Sequence, residues 1–219
     1  MASREFSGSG RNIAMARDTM LALTVGFMTG ALSIPVVINL GIALPIPDLC
    51  LPLVVAALFA IAILAAGLVA GRFLSLLEFT KFAVVGVLNS GVDFGLLNSL
   101  ILVTGVVSGA GFLAFKSISV TVAVVNSYFW NKFWTFEAAK SAGTRRELSA
   151  FLVVTLLAVG LNVVGAHVIV NVIGAPRGIS TRLWANIGAI SGAGLTLFTN
   201  FFGYKFYVFR KPLLVAEEL

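Results

Sequence analysis

Read from its start, the chain alternates long apolar stretches with short polar links. Apolar runs cover residues 20–44, 51–71, 82–103, 112–134, 148–173 and 183–207. A helix needs about 20 apolar residues to cross the hydrocarbon core, so each run predicts one transmembrane helix. The first run, with Pro35 and Asn39 inside it, is expected to kink at the proline. It is too long for the apolar core of a signal peptide, about 7–15 residues, and another span follows it. Residues 1–18, with Arg4, Arg11 and Arg17, read as a mobile cytoplasmic tail. Pro45-Ile46-Pro47-Asp48 reads as a tight connection, 104–111 as a Gly/Ser turn and 137–147 as the most charged loop. All links are short, which leaves no room for a sizeable soluble domain on either face. The fold class that follows is an all-α membrane protein with six transmembrane helices.

Two of these segments close on the same pattern. Asn126-Ser127-Tyr128-Phe129-Trp130-Asn131-Lys132-Phe133-Trp134-Thr135-Phe136 aligns with Thr199-Asn200-Phe201-Phe202-Gly203-Tyr204-Lys205-Phe206-Tyr207-Val208-Phe209 at an offset of 73. Upstream, residues 81–86 align with 150–155 at an offset of 69, which sets Asp93 against Asn162. A loop absorbs the difference. The pattern predicts an internal duplication of a two-helix unit, residues 79–136 and 148–209. With two spans per copy, the copies share one orientation, giving a four-helix core of two parallel-topology repeats. An N-terminal hairpin precedes it. The expected division is 1–73 for tail and hairpin, 74–211 for the core and 212–219 for the C-terminal tail.

Composition sharpens the class. Of 219 residues, 59% are hydrophobic and 11% charged, against about 45–50% and 25% in soluble domains. One Cys and one His exclude a disulfide framework and a His- or Cys-rich metal site. The net charge of +6 reads as a cytoplasmic Lys/Arg excess rather than a nucleic-acid surface. Twelve Lys and Arg fall on one side of the predicted topology and three on the other, which places both termini in the cytoplasm.

Intramembrane polar residues are the informative ones, because a charge at the bilayer centre costs about 2.5–3.5 kcal/mol on insertion scales. Asp93 falls near the midplane, with Asn89 one turn away. These two and Asn162 are expected to line a polar seam between the repeats. The competing reading has Asp93 protonated, or bonded to Asn162, as a packing device. Lys81, Lys132 and Lys205 lie at cytoplasmic helix ends, at the depth of a lipid phosphate. Snorkelling within a belt of aromatics such as Trp134 accounts for Lys81 better, and for the repeated pair Lys132 and Lys205 equally well. Asn126 and Asn131 offer amides to hydroxyls, or hydrogen-bond across helices. Lys116 reads as a snorkelling residue in preference to a phosphate ligand in the opposite leaflet. His167 reads as an interhelical hydrogen-bonding group, and Gly188, Gly192 and Gly194 as close-approach positions. No GxxxxGK[ST], G-x-S-x-G or H-E-x-x-H motif is present.

The segment from about 75 to 211 resembles the GtrA-like family of small bacterial membrane proteins. The resemblance rests on Phe79-Thr80-Lys81-Phe82-Ala83-Val84-Val85-Gly86, Asn89, Asp93-Phe94, Val125-Asn126 and Asn131-Lys132-Phe133-Trp134-Thr135-Phe136. The second copy closes on Tyr204-Lys205-Phe206-Tyr207-Val208-Phe209, with Tyr204 where the first has Asn131. The resemblance implies a non-enzymatic flippase without metal or cofactor. It would move polyprenyl-phosphate-linked monosaccharides across the bacterial cytoplasmic (inner) membrane for cell-envelope glycosylation. Lys81, Asn89, Asp93, Asn126, Asn131, Lys132, Trp134, Asn162 and Lys205 would bind the substrate. With no ATPase motif, transport would run downhill or couple to an ion through Asp93. Expected partners are the lipid-linked sugar, membrane lipids, a membrane glycosyltransferase and a second copy of the chain, and no nucleic acid. Two other readings stand beside it: a scaffold that recruits a glycosyltransferase, and a small-solute exporter.

Overall fold

The computed structural model describes residues 2–70, 74–138, 145–179 and 181–209. It is helical, with no strand among the described residues. The chain divides into two compact units, Met1–Glu137 and Ala138–Leu219. The first holds helices α1 (Ala2–Leu40), α2 (Leu51–Ala70), α3 (Leu74–Thr104) and α4 (Gly109–Trp130). A 3-10 turn, Asp48–Cys50, leads into α2, and a π-helical turn, Asn131–Thr135, continues α4. The second unit holds α5 (Arg145–His167) with a π turn at Val168–Ile173, and α6 (Thr181–Gly203) with a π turn at Tyr204–Val208.

Five stretches are long and apolar enough to cross a membrane: Asn12–Leu40, Asp48–Ala70, Ser75–Thr104, Gly109–Thr135 and Arg145–Ile173. They correspond to the first five predicted spans. The predicted sixth is α6, whose 23 residues give it the length of a span. The protein is thus an all-α membrane protein, as its hydrophobic pattern requires.

One expectation fails at the start of the chain. Residues 1–18 do not form a mobile tail: the chain is helical from Ala2, and Asp18 is only 3% exposed. No proline interrupts this segment, and Asp18 is tied to groups on α3 and beyond α4. Helix α1 runs on through Pro35. Its 39 residues at about 1.5 Å each exceed the roughly 30 Å hydrocarbon core. Arg72, Lys140, Arg210 and Lys211, counted in the charge asymmetry, and the tail 212–219 lie outside the described residues.

Burying apolar surface does little to hold helices together in lipid, so close contact between small residues takes over. Gly26 and Gly30 lie one turn apart on α1. A Cβ at Gly26 would come within 2.5 Å of Ala56 Cα, and one at Gly30 within 2.5 Å of the Leu51 oxygen. Only glycine lets α1 and α2 approach this closely. Around that contact, Ala22, Val25, Ile63, Ala66, Leu77, Val84, Val85, Leu88, Val92, Ala123 and Trp134 form one buried cluster drawn from α1 to α4. Leu53, Leu58, Leu68, Val87 and Phe94 point outward, as lipid permits.

Hydroxyls inside the spans are satisfied locally. Thr19, Thr24, Thr29 and Ser33 each donate to the carbonyl four residues back, at 2.8–3.0 Å. That arrangement removes the cost of an unpaired hydroxyl in hydrocarbon. The hairpin and the first repeat pack as one unit, because α1 contacts α3 as well as α2.

Candidate functional site

Helix α3 carries a ladder of polar residues, and each has a partner on another element of the first unit. Lys81 is nearest the start. Its ammonium lies 2.6 Å from Asp18 Oδ2, and both side chains are buried. The indole Nε1 of Trp134 donates to the other carboxylate oxygen of Asp18 at 3.2 Å. Arg17 contacts Asp18 at 3.4 Å and pairs with Glu137, which in turn lies 3.6 Å from Lys81. Glu137 has φ +50°, a left-handed conformation that costs a non-glycine residue roughly 1–2 kcal/mol. The two acids and two bases of these contacts balance in charge. A buried charge is tolerable when it is paired and hydrogen-bonded in this way.

About 12 Å further along α3, at 1.5 Å per residue, Asn89 Oδ1 accepts from Asn126 Nδ2 on α4 at 2.7 Å. One turn beyond that, Asp93 meets Lys116 of α4. The ammonium donates to both carboxylate oxygens, at 2.8 and 2.7 Å, and Ser119 Oγ donates to Oδ1 at 2.7 Å. Ser119 is fully buried. Lys116 Nζ also lies 5.2 Å from the centre of the Phe94 ring, within cation–π range. The last rung is Asn98, whose Oδ1 accepts from Asn39 Nδ2 of α1 at 2.9 Å.

Lys116 therefore does not simply snorkel: it neutralises Asp93 within the protein. Asp93 and Asn162, expected to share one seam, fall in different units, and each has neighbours within its own. Lys81, expected at a cytoplasmic helix end, is enclosed with Asp18. His167 bonds to Asn171 on its own segment at 3.0 Å rather than across helices. Asp18, Ser119 and Glu137 were missed from sequence. Ser119 was findable, one turn after Lys116; Asp18 was discounted as part of a tail.

The predicted duplication is present in three dimensions. Both repeats end on five-residue π turns at aligned positions, Asn131–Thr135 and Tyr204–Val208. Each turn is closed by a backbone bond, Phe136 N to Asn131 O at 2.9 Å and Phe209 N to Tyr204 O at 2.8 Å. Phe129 and Phe133 stack at 6.1 Å and 6°, and Phe202 and Phe206 at 6.1 Å and 2°. Phe82 lies 6.2 Å from Phe136, and Phe151 lies 6.4 Å from Phe209. The lysines match too. Lys132 Nζ is 5.5 and 6.0 Å from the Tyr128 and Phe133 rings, and Lys205 Nζ is 5.6 and 5.9 Å from Phe201 and Phe206. Lys132 also donates to Tyr128 Oη at 3.3 Å and is buried. Isolated π turns occur often at functional sites.

The repeats differ in what fills this shared frame. The positions equivalent to Lys81, Lys116 and Ser119 are Ala150, Ala189 and Gly192. Trp134 is 2% exposed, whereas its counterpart Tyr207 is 80% exposed. Asn162, the counterpart of Asp93, sits against Gly192, where a Cβ would fall 2.7 Å from Asn162 O and Oδ1. At the π turn, Tyr204 shares a 2.7 Å hydrogen bond with Thr155 and stacks on Phe151. In the first repeat, Asn131 donates to Ser127 O at 2.9 Å. Its Oδ1, and Thr135 Oγ1, are buried without a hydrogen-bond partner among the described residues.

The helical spans and their interior polar ladder define a multi-pass membrane protein built on a duplicated helix pair. Residues 81–209 match the family model described as the GtrA/DPMS transmembrane domain, and the chain belongs to that family. It is similar to the uncharacterized membrane protein YngA of Bacillus subtilis (strain 168), with 33% identity over 152 residues, 68% of this chain and 93% of YngA. No solved structure matches the chain.

Proposed function

We propose that the protein is a flippase for a polyprenyl-phosphate-linked monosaccharide, serving cell-envelope glycosylation from the bacterial inner membrane. The observation that carries this reading is the polar ladder of the first repeat: Lys81, Asn89–Asn126 and Asp93–Lys116–Ser119. A lipid-linked sugar must bring a phosphate and hydroxyls through hydrocarbon while its tail stays in lipid, and it needs groups that replace water along the way. Asn89 and Asn126 are amides of the kind that exchange partners with hydroxyls. Asn131 Oδ1 and Thr135 Oγ1 have hydrogen-bonding capacity that buried groups normally use. Lys116, with Asp93 as its counter-ion, supplies a cation deep in the span. Membership of the GtrA/DPMS family supports the same substrate class. Lys132 and Lys205, set among stacked aromatics, mark the cytoplasmic ends of the repeats, and both termini lie inside. The protein moves its substrate without a covalent step and acts as a dimer.

The test is transbilayer movement of a short-chain polyprenyl-phosphate sugar in reconstituted vesicles. Wild type is expected to accelerate movement. Asp93→Asn and Lys132→Ala are expected to reduce it at least tenfold, with helical content unchanged. No movement above empty vesicles across several sugars would overturn the reading and favour a scaffold for a glycosyltransferase.

A further inference from the structure

The contact between Asp18 and Lys81 joins two parts of the chain of different standing. Lys81 and Trp134 both belong to the family-matched region 81–209, whereas Asp18 belongs to the hairpin that precedes it. The two donors converge on the two oxygens of a single carboxylate, at 2.6 Å from Nζ and 3.2 Å from Nε1. All three side chains are at least nine-tenths buried. An ammonium and an indole N–H aimed at the same pair of oxygens make a receptor for an oxyanion, and phosphate presents such a pair as readily as carboxylate.

We propose that Lys81 and Trp134 form a phosphate-binding site on the four-helix core, and that Asp18 of α1 occupies it in cis. The choice of phosphate rests on the flippase reading above. Charge decides how the site behaves. Arg17, Lys81, Asp18 and Glu137 sum to zero, so an incoming phosphate meets no net attraction while Asp18 is in place. Removing the charge of Asp18 leaves the cluster at +1, with Arg17 still held by Glu137. The hairpin thus governs access to the site, and a small neutral side chain at position 18 opens it. Alanine suits the purpose: it withdraws both carboxylate oxygens, frees Lys81 Nζ and Trp134 Nε1 for the ligand, and keeps the helix propensity of α1.

The experiment measures binding to the full chain in detergent by titration calorimetry, with geranyl phosphate and inorganic phosphate as probes. Asp18→Ala is expected to bind geranyl phosphate at least tenfold more tightly than wild type, and Asp18→Ala/Lys81→Met is expected to lose that gain. A gain for geranyl phosphate alone assigns the site to a lipid phosphate. An equal gain for inorganic phosphate upholds the site but assigns it to the phosphate group irrespective of a tail. Equal binding by Asp18→Ala and wild type, with a lowered Tm, would overturn the proposal and leave a structural staple. So would a gain that survives the loss of Lys81. Because binding is read apart from transport, a gain in a protein that moves no lipid would sink the flippase reading alone.

Discussion

Replacing Asp93 by Asn leaves the Lys116 ammonium in the spanning region with Ser119 and the Phe94 ring but no counter-ion. At 2.7 Å the gross attraction between the two charges is about 6 kcal/mol at an effective dielectric constant of 20. Most of that only offsets what it costs to bring both charges out of water. The net loss is better gauged from the roughly 2.5–3.5 kcal/mol charged to a lone ion at mid-span, reduced because Lys116 is 36% exposed and has a long stem. Asp93→Asn is expected to cost about 2–3 kcal/mol. Lys116→Met strands the carboxylate instead, and is expected to cost about as much. The double substitution removes both charges and keeps the serine hydroxyl paired, so it should cost about 1 kcal/mol. The coupling energy is then about 3–5 kcal/mol, at or above the upper end for contacting residues. Unfolding in mixed micelles gives these values directly. A thermal shift should show each single variant about 4–12 °C lower, at the 2–4 °C per kcal/mol usual for chains of this length. Single variants within about 0.5 kcal/mol of wild type, with a double variant equal to their sum, would refute the pairing and the neutralisation argument built on it.

Three further outcomes follow from close contacts. Gly26→Val places methyl groups where Ala56 already stands and should destabilise the α1–α2 pair by about 1–3 kcal/mol, read as faster proteolysis of the 41–50 connection. Gly192→Ala gains up to about 1 kcal/mol of helix propensity but meets Asn162 at 2.7 Å; a net loss of Tm is expected, and a rise would show that α5 and α6 can separate freely. Tyr204→Phe keeps the stack on Phe151 and loses the bond to Thr155, which still donates to Phe151 O at 2.8 Å; a loss of about 1 kcal/mol is expected, and one above 3 kcal/mol would mean that the hydroxyl holds more than Thr155.

The spans and the duplication were legible because both are written in local patterns. Twenty apolar residues in a row read as a membrane helix whatever their neighbours. The aromatic–lysine register of residues 126–136 recurs at 199–209 and reappears as paired π turns with matching stacks. Of the glycine ends, Gly105 falls in the predicted turn 104–111 and closes α3 at φ +69°, whereas Gly41, placed inside the first predicted span, closes α1 at φ +63°, where a Cβ would be strained. Individual site residues were legible as polar residues out of place, which singled out Asp93, Asn89 and Asn126.

Partners were not legible in the same way. Lys116 looked like a helix-end lysine because sequence gives its depth but not the face of α4 on which it stands. Asp18 looked like part of a tail because its partners lie 63 and 116 residues away in sequence. By itself the sequence determined that the chain is an all-helical membrane protein, duplicated within its family domain, with a few polar residues that its spans must accommodate. Only the tertiary structure decided which charge neutralises which, and that the described polar rungs of α3 find their partners on α1 and α4. The reason is physical: hydrophobicity and periodicity belong to one segment, whereas an ion pair needs two helices set at one rotation and one axial offset, and only their mutual packing fixes those.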